Sequence, residues 1–195
     1  MIVLASTSAS RRAMLNAAGV AHEALPAHVD EDAVKAAMAE VAPRDLADAL
    51  AEMKAIKVSQ RVPGTLVLGG DSVVAIEDGT LLDKPVDRAD AERHLRMLSA
   101  KRHDLYSAAV IAENGRAVWR HVDRARLWVR PLSEAFIADY LDAEWPVISG
   151  CVGCYRVEGP GVQLFSRIEG SQYTILGMPL LQILDYLRTR GVLTS

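Results

Sequence analysis

Four stretches of the chain carry side chains with the chemistry to handle phosphate. The first is Leu4-Ala5-Ser6-Thr7-Ser8-Ala9-Ser10-Arg11-Arg12. Serine hydroxyls and unpaired backbone N–H groups at a helix start form an anion site, and guanidinium groups grip phosphate oxygens in pairs. Ser6, Ser8, Ser10, Arg11 and Arg12 are therefore candidate phosphate ligands, the alternative being a capped helix with two solvated arginines. The glycines and G-K-S/T ending of a Walker loop are absent. The second stretch centres on Asp71, inside Leu66-Val67-Leu68-Gly69-Gly70-Asp71-Ser72-Val73-Val74. An ionised carboxylate in such apolar surroundings is costly unless paired or metal-bound. It either caps a turn, holds a divalent cation or takes a proton from water. The third is a pair of lysines. Lys84 precedes Pro85, which holds its backbone extended, so it is a fixed cation able to serve the same cleft as Asp71; Lys54 faces that cleft or water. The fourth is Glu158, in Arg156-Val157-Glu158-Gly159-Pro160-Gly161, where glycines allow close approach of a ligand. It would bond a base edge, bind metal or lie on a surface strand. Together, fixed cations and several carboxylates fit the handling of a polyphosphate with Mg²⁺.

These groups need elements to hold them. Residues 2–6 form an apolar run that predicts a buried strand. Ser8 then caps a helix carrying Met14, Leu15 and Ala18, which Gly19 stops. Two arginines in that helix's first turn oppose the helix dipole, so a negative group must face them. Asp30, Glu31 and Asp32 precede an Ala-rich helical stretch. Pro43 to Gln60 predicts a longer helix with Leu46, Leu50, Met53 and Ile56 as its apolar stripe, and with Lys54, Lys57 and Arg61 on another face. Thr65–Ile76 predicts a strand bent at Gly69-Gly70, followed by a hairpin turn at Asp78-Gly79. Asp87 caps the next helix. Tyr106–Ala112 and Ala117–Val129 are strands joined at Asn114-Gly115. Ser133 caps a helix with Phe136, Ile137, Tyr140 and Leu141. Residues 147–169 are strand with loops. A last helix starts at Pro179, buries Leu180, Leu184 and Leu187, and ends at Gly191. Strands alternate with helices, so the fold class is α/β in a single domain over residues 1–195.

The chain has 195 residues, 50% of them hydrophobic and 24% charged, with 22 Lys plus Arg against 25 Asp plus Glu for a net charge of −3. That balance excludes a disordered or collagenous chain and argues against broad nucleic-acid binding, which needs a basic face. No apolar run approaches the ~18–20 residues of a membrane span, and the N-terminus lacks the order of a secretory signal, so a cytoplasmic protein is expected. The two cysteines, Cys151 and Cys154, have the spacing of half a zinc site or a redox pair. A structural zinc needs four ligands and no second pair exists, so two reduced structural thiols are expected.

Taken in order, these stretches resemble the Maf family of nucleoside triphosphate pyrophosphatases. The resemblance lies in residues 4–12, in V-D-E-D at 29–32, L-A-E-M-K-A at 50–55, G-G-D-S-V-V at 69–74 and L-L-D-K-P at 81–85. It closes with V-E-G at 157–159, I-E-G-S at 168–171 and L-G-M-P-L at 176–180. It implies a Maf/ITPase-like mixed sheet in two lobes around a deep central cleft, and hydrolysis of a nucleoside triphosphate to monophosphate and pyrophosphate with Mg²⁺ or Mn²⁺. It implies Asp71 as proton acceptor, Ser6, Ser8, Arg11, Lys54 and Lys84 as phosphate-binding groups, and Glu31 with Asp71 as metal ligands; Arg12 sits beside the matching arginine. A homodimer is implied by the resemblance alone. Ala9 stands where the family usually has proline, which removes rigidity but no chemical group. Three positions divide the family by base and match Ser10, Ser72 and Glu158. The dTTP/UTP type has Arg, Thr and Gln there and the 7-methyl-GTP type Trp, Gln and Glu, so the chain follows neither, and Glu158 leans to the second. A nucleotide-binding regulator of division with little catalysis is the rival from another class.

Overall fold

The computed structural model describes residues 1–194. In chain order the elements are β1 (Ile2–Leu4), α1 (Ala9–Ala17), β2 (His22–Ala24), α2 (Glu31–Ala37), α3 (Pro43–Ser59), β3 (Val67–Ile76), β4 (Leu81–Leu82), α4 (Arg88–Leu98), β5 (Arg102–Glu113), β6 (Arg116–Val129), α5 (Glu134–Glu144), β7 (Phe165–Glu169), α6 (Gln172–Ile175) and α7 (Leu180–Thr189). The strands form one mixed sheet in the order β2-β1-β3-β5-β6-β7, with β4 pairing β3. β1 runs parallel to β2 and β3, while β4 on β3 and β7 on β6 are antiparallel. Parallel neighbours joined through helices are what strand–helix alternation dictates. The mixed α/β class read from the sequence is the one observed.

The chain divides into two compact units. The first comprises Met1–Ser72, Tyr106–Asp123 and the chain from Gln172 onward; the second comprises Val73–Leu105 and Arg124–Ser171. In the first unit β1 is covered on both faces, so its residues alternate between two cores. Ile2 and Leu4 pack with Met14, Leu15, Leu68 and Ile183, and Val3 and Ala5 with Val58 and Val67. In the second unit α4 packs on α5, burying Leu95 and Leu98 of one and Ile137 and Leu141 of the other.

Most start and stop signals act as the sequence predicts. Ser8, Asp87 and Ser133 each cap a helix with the side chain, and Asp30, expected only as part of an acidic cluster, does so too. The turns at Asp78-Gly79 and Asn114-Gly115 form, with Gly79 at φ 91° and Gly115 at φ 76°. Some details differ. Residues 147–169, expected as strand with loops, form 3-10 turns at Val147–Gly150 and Pro160–Leu164 and strand only at Phe165–Glu169, and the last helix buries Ile183 in place of the expected Leu184. β3 runs through Gly69-Gly70 as one strand. A Cβ on Gly69 would lie 2.2 Å from the Ala51 carbonyl oxygen and 2.7 Å from the Ala55 nitrogen, so this glycine seats α3 against the strand. The buried face of α3 carries Leu46, Ala47, Leu50, Ala51, Lys54, Ala55 and Val58. Met53, expected in that stripe, is 42% exposed, and Ile56 is half-buried.

Candidate active site

The first unit gathers most of the predicted site. Seating α3 on Gly69 drives Lys54 inward, and only 9% of it is exposed. Its ammonium lies 2.6 Å from Asp71 Oδ1 and 2.7 Å from Glu31 Oε1. Asp71 is 6% exposed in the middle of β3, and the lysine supplies the pairing that a carboxylate there requires. Glu31 arrives differently. Asp30 caps α2 by accepting the N–H of Ala33, and the acidic cluster becomes a cap and first turn, the end of a helix where negative charge is favoured. Asp71, Glu31 and Lys54, drawn from a strand and two helices, thus form one ionic bridge. Lys57 and Arg61, predicted to share a face with Lys54, instead donate to the carbonyls of His28 and Pro26.

The α1 start is built as the serines predict. Ser6 Oγ accepts the Ser8 N–H at 3.1 Å, and Ser8 Oγ accepts the Arg11 N–H at 3.4 Å. Arg11, placed against the helix dipole, turns its side chain back. Its Nε donates to the Gly177 carbonyl at 2.8 Å and its Nη2 to Ser72 Oγ at 3.0 Å. Its pKa lies below the ordinary value because desolvation lowers it by more than the charges of Asp71 and Glu31 raise it. These are the negative groups that the arginine's placement demanded. Arg12 points elsewhere: its side chain is exposed and joins none of these bonds.

Ser10 Oγ donates to the Leu176 carbonyl at 2.6 Å, spending its only proton. Ser72 Oγ lies 2.9 Å from Ser107 Oγ, which donates to the Thr174 carbonyl at 2.7 Å. Both serines matched to base-discriminating positions are therefore bonded within the first unit, Ser10 to the Leu176 carbonyl, and Ser72 to the 174–177 segment through Ser107 and by a longer 3.4 Å bond to the Gly177 carbonyl. Ser107, Thr174 and Gly177 were not singled out from the sequence. A signal for one existed, since Ser107 is a hydroxyl inside the apolar run 105–112. Gly177 has φ 114°, a backbone conformation that glycine adopts freely and other residues rarely do.

Lys84 and Glu158 belong to the second unit. Both are exposed, and both act electrostatically on the half-buried Cys151 thiol, Glu158 raising its pKa and Lys84 lowering it. They therefore share one neighbourhood, joined by Arg156, which donates to both oxygens of the buried Glu144 at 2.9 and 3.0 Å. Burial dominates the shift of Cys151 and drives Cys154 up to about 12. Cys154 Sγ rests 3.5 Å from His94 Nδ1. Neither thiol is in a disulfide.

Asp71 and Glu31 are the carboxylates available for a divalent cation. Among the described residues no three His, Cys, Asp or Glu side chains are grouped so as to hold a metal. Two hard oxygen donors fit a cation of the Mg²⁺ kind, which usually takes one or two carboxylates and completes its shell with water and substrate phosphate. Among the described residues no helix is long and apolar enough to cross a membrane.

The model of the family described as "Maf-like protein" matches residues 1–190. A nucleoside triphosphate pyrophosphatase of Sphingopyxis alaskensis is 51% identical over 193 residues, covering 98% of each chain. Nucleoside triphosphate pyrophosphatase 1 of Jannaschia sp. is 52% identical over 193 residues, covering 98% of this chain and 97% of its own. Among solved structures, a nucleoside-triphosphatase / dITP/XTP pyrophosphatase from Mycobacterium abscessus aligns at a TM-score of 0.45 with 14% identity, over 98% of this chain and 95% of the other.

Proposed function

Since the chain belongs to the Maf family, we propose that it is a nucleoside triphosphate pyrophosphatase, cleaving between the α- and β-phosphates to release a nucleoside monophosphate and pyrophosphate. The observation that supports this most directly is the Asp71–Lys54–Glu31 bridge beside a guanidinium whose acceptors among the described residues, the Gly177 carbonyl and Ser72, are neutral. A proton acceptor, an ammonium and an arginine are the groups that water attack on a phosphoanhydride needs.

Asp71 has one oxygen on Lys54 and uses the other to orient the attacking water and take its proton. Lys54 holds that carboxylate in place and offers positive charge to the phosphates. Arg11, the Ser6–Ser8 turn and the start of α1 bind the polyphosphate through N–H donors. Lys84 is assigned to the leaving pyrophosphate. A divalent cation held by Asp71 and Glu31 would neutralise phosphate charge and polarise the bond that breaks. For the base, Glu158 is a carboxylate that accepts only, which favours a donor-rich purine edge and hence the 7-methyl-GTP side of the family over dTTP and UTP.

The test is pyrophosphate release across a panel containing 7-methyl-GTP, GTP, dTTP, UTP and ITP, with Mg²⁺, with Mn²⁺ and with a chelator. Turnover that needs the cation and falls by at least a hundredfold in Asp71→Asn, with nucleotide binding retained, is the expected result. Tight binding with no release on any nucleotide would overturn the assignment.

A further inference from the structure

We infer that Ser107 is a positioning residue for Arg11, the last hydroxyl of a one-way hydrogen-bond relay that aims the guanidinium at the substrate's phosphates; the inference rests on the assignment of Arg11 to phosphate binding.

The direction of the relay follows from counting protons. A serine hydroxyl has one proton to give. Ser107 gives its proton to the Thr174 carbonyl at 2.7 Å. In the 2.9 Å contact with Ser72, Ser107 must therefore accept, and Ser72 must donate. With its own proton spent, Ser72 can only present a lone pair to Arg11, whose Nη2 donates to it at 3.0 Å. The Gly177 carbonyl, 3.4 Å from Ser72 Oγ, is left to accept from Arg11 Nε at 2.8 Å. The chain reads Arg11 N–H to Ser72 to Ser107 to the Thr174 carbonyl, with Ser107 at 2.9 Å the nearer acceptor for the Ser72 proton and the Gly177 carbonyl at 3.4 Å the farther one.

The terminus of the relay is itself fixed. Thr174 is fully buried, and its Oγ1 donates to Asp123 Oδ2 at 2.5 Å, which ties α6 to β6. Ser107 is fully buried as well, among Ala108, Ala109 and Val110. A hydroxyl there is retained at a cost unless it is bonded, and both of its bonds belong to the relay. Neutral acceptors orient Arg11 without cancelling its charge, so the cation stays available to an anion. Without the Ser107 oxygen, the Ser72 proton turns to the Gly177 carbonyl at 3.4 Å, which redirects the lone pair that Ser72 presents to Arg11 Nη2.

Two readouts test this in the full chain. Direct observation of the Arg11 Nε–H by NMR, assigned by its loss in Arg11→Lys, reports the positioning itself. Ser107→Ala should speed its exchange with water roughly tenfold or more. Calorimetry with inorganic triphosphate then completes a cycle. Ser107→Ala should weaken binding roughly tenfold, the effect of one hydrogen bond to a charged group, and should add nothing in an Arg11→Ala background, since it acts only through that arginine. If Ser107→Ala does not fold, Ser107→Cys, of nearly the same volume and a weaker donor, takes its place with smaller effects of the same sign. An unchanged Arg11 signal, or equal losses with and without Arg11, would overturn the inference. If the cycle holds but no nucleotide releases pyrophosphate, the relay stands and the enzymatic assignment falls.

Discussion

Replacing Gly69 by alanine should damage stability and turnover together. The new Cβ would lie 2.2 Å from the Ala51 carbonyl oxygen and 2.7 Å from the Ala55 nitrogen, about 1 Å inside the ~3.3 Å at which carbon and carbonyl oxygen touch. Both clashing atoms are backbone, so no rotamer change relieves them, and α3 must move outward. Overpacking of this kind costs about 1–3 kcal/mol, and a backbone clash belongs in the upper half of that range. For a chain of this length, about 2 kcal/mol lowers Tm by roughly 4–8 °C. Lys54 lies on the displaced face, between Ala51 and Ala55. Its bonds to Asp71 and Glu31 are 2.6 and 2.7 Å long, and a shift of about 1 Å breaks at least one of them. Displacement on that scale can cost about a hundredfold in rate. The assays are thermal unfolding and pyrophosphate release. Gly150→Ala is the control, because a Cβ there meets nothing within 4 Å. Near-native Tm and turnover in Gly69→Ala would refute the claim that close helix–strand seating delivers the lysine.

Three further outcomes follow. Lys54→Met and Asp71→Asn should be non-additive in kcat/KM by about 1–3 kcal/mol in a double-mutant cycle, because each residue's role depends on the other; additive losses would separate them. Burial lowers the pKa of His103 from 6.5 to about 4, so its neutral form is the one the native state favours. Its contribution, about 3 kcal/mol, is complete above pH 6.5 and is lost as pH falls toward 4. Urea unfolding of His103→Gln should be correspondingly less acid-sensitive across that window, and identical pH profiles would contradict it. With its thiol pushed up to about 12 and its side chain buried, Cys154 should resist iodoacetamide at pH 8 until denaturant is added; rapid native labelling would show that the burial is wrong.

Much of this was legible in the sequence because local signals act locally. Caps at Ser8, Asp87 and Ser133 and the turns at Gly79 and Gly115 depend on neighbours a few residues away. Asp71 was conspicuous as a charge in an apolar run. The solvent-or-cleft choice for Lys54 could not be settled by helical spacing, because the decision lies with Gly69, on another element. The same holds for Met53, which periodicity placed in the core. Residue type alone does not separate Arg11 from Arg12; the family resemblance favours Arg11, and the Gly177 carbonyl and Ser72 are what hold it. The relay through Ser107 joins residues far apart in sequence, and no local pattern encodes it.

The two carboxylates of the site stand on very different footings. Asp71 is embedded in β3, but Glu31 rides on α2, a helix of 7 residues with none buried. A helix so short has little autonomous persistence, and its hold on α3 includes the ionic contact from Glu31 to Lys54 and the neighbouring bond from Lys57 to the His28 carbonyl. Amides of 31–37 should exchange by local fraying while the strands stay protected. The molecule can therefore withdraw one of its two acids from the lysine without disturbing its hydrophobic interior.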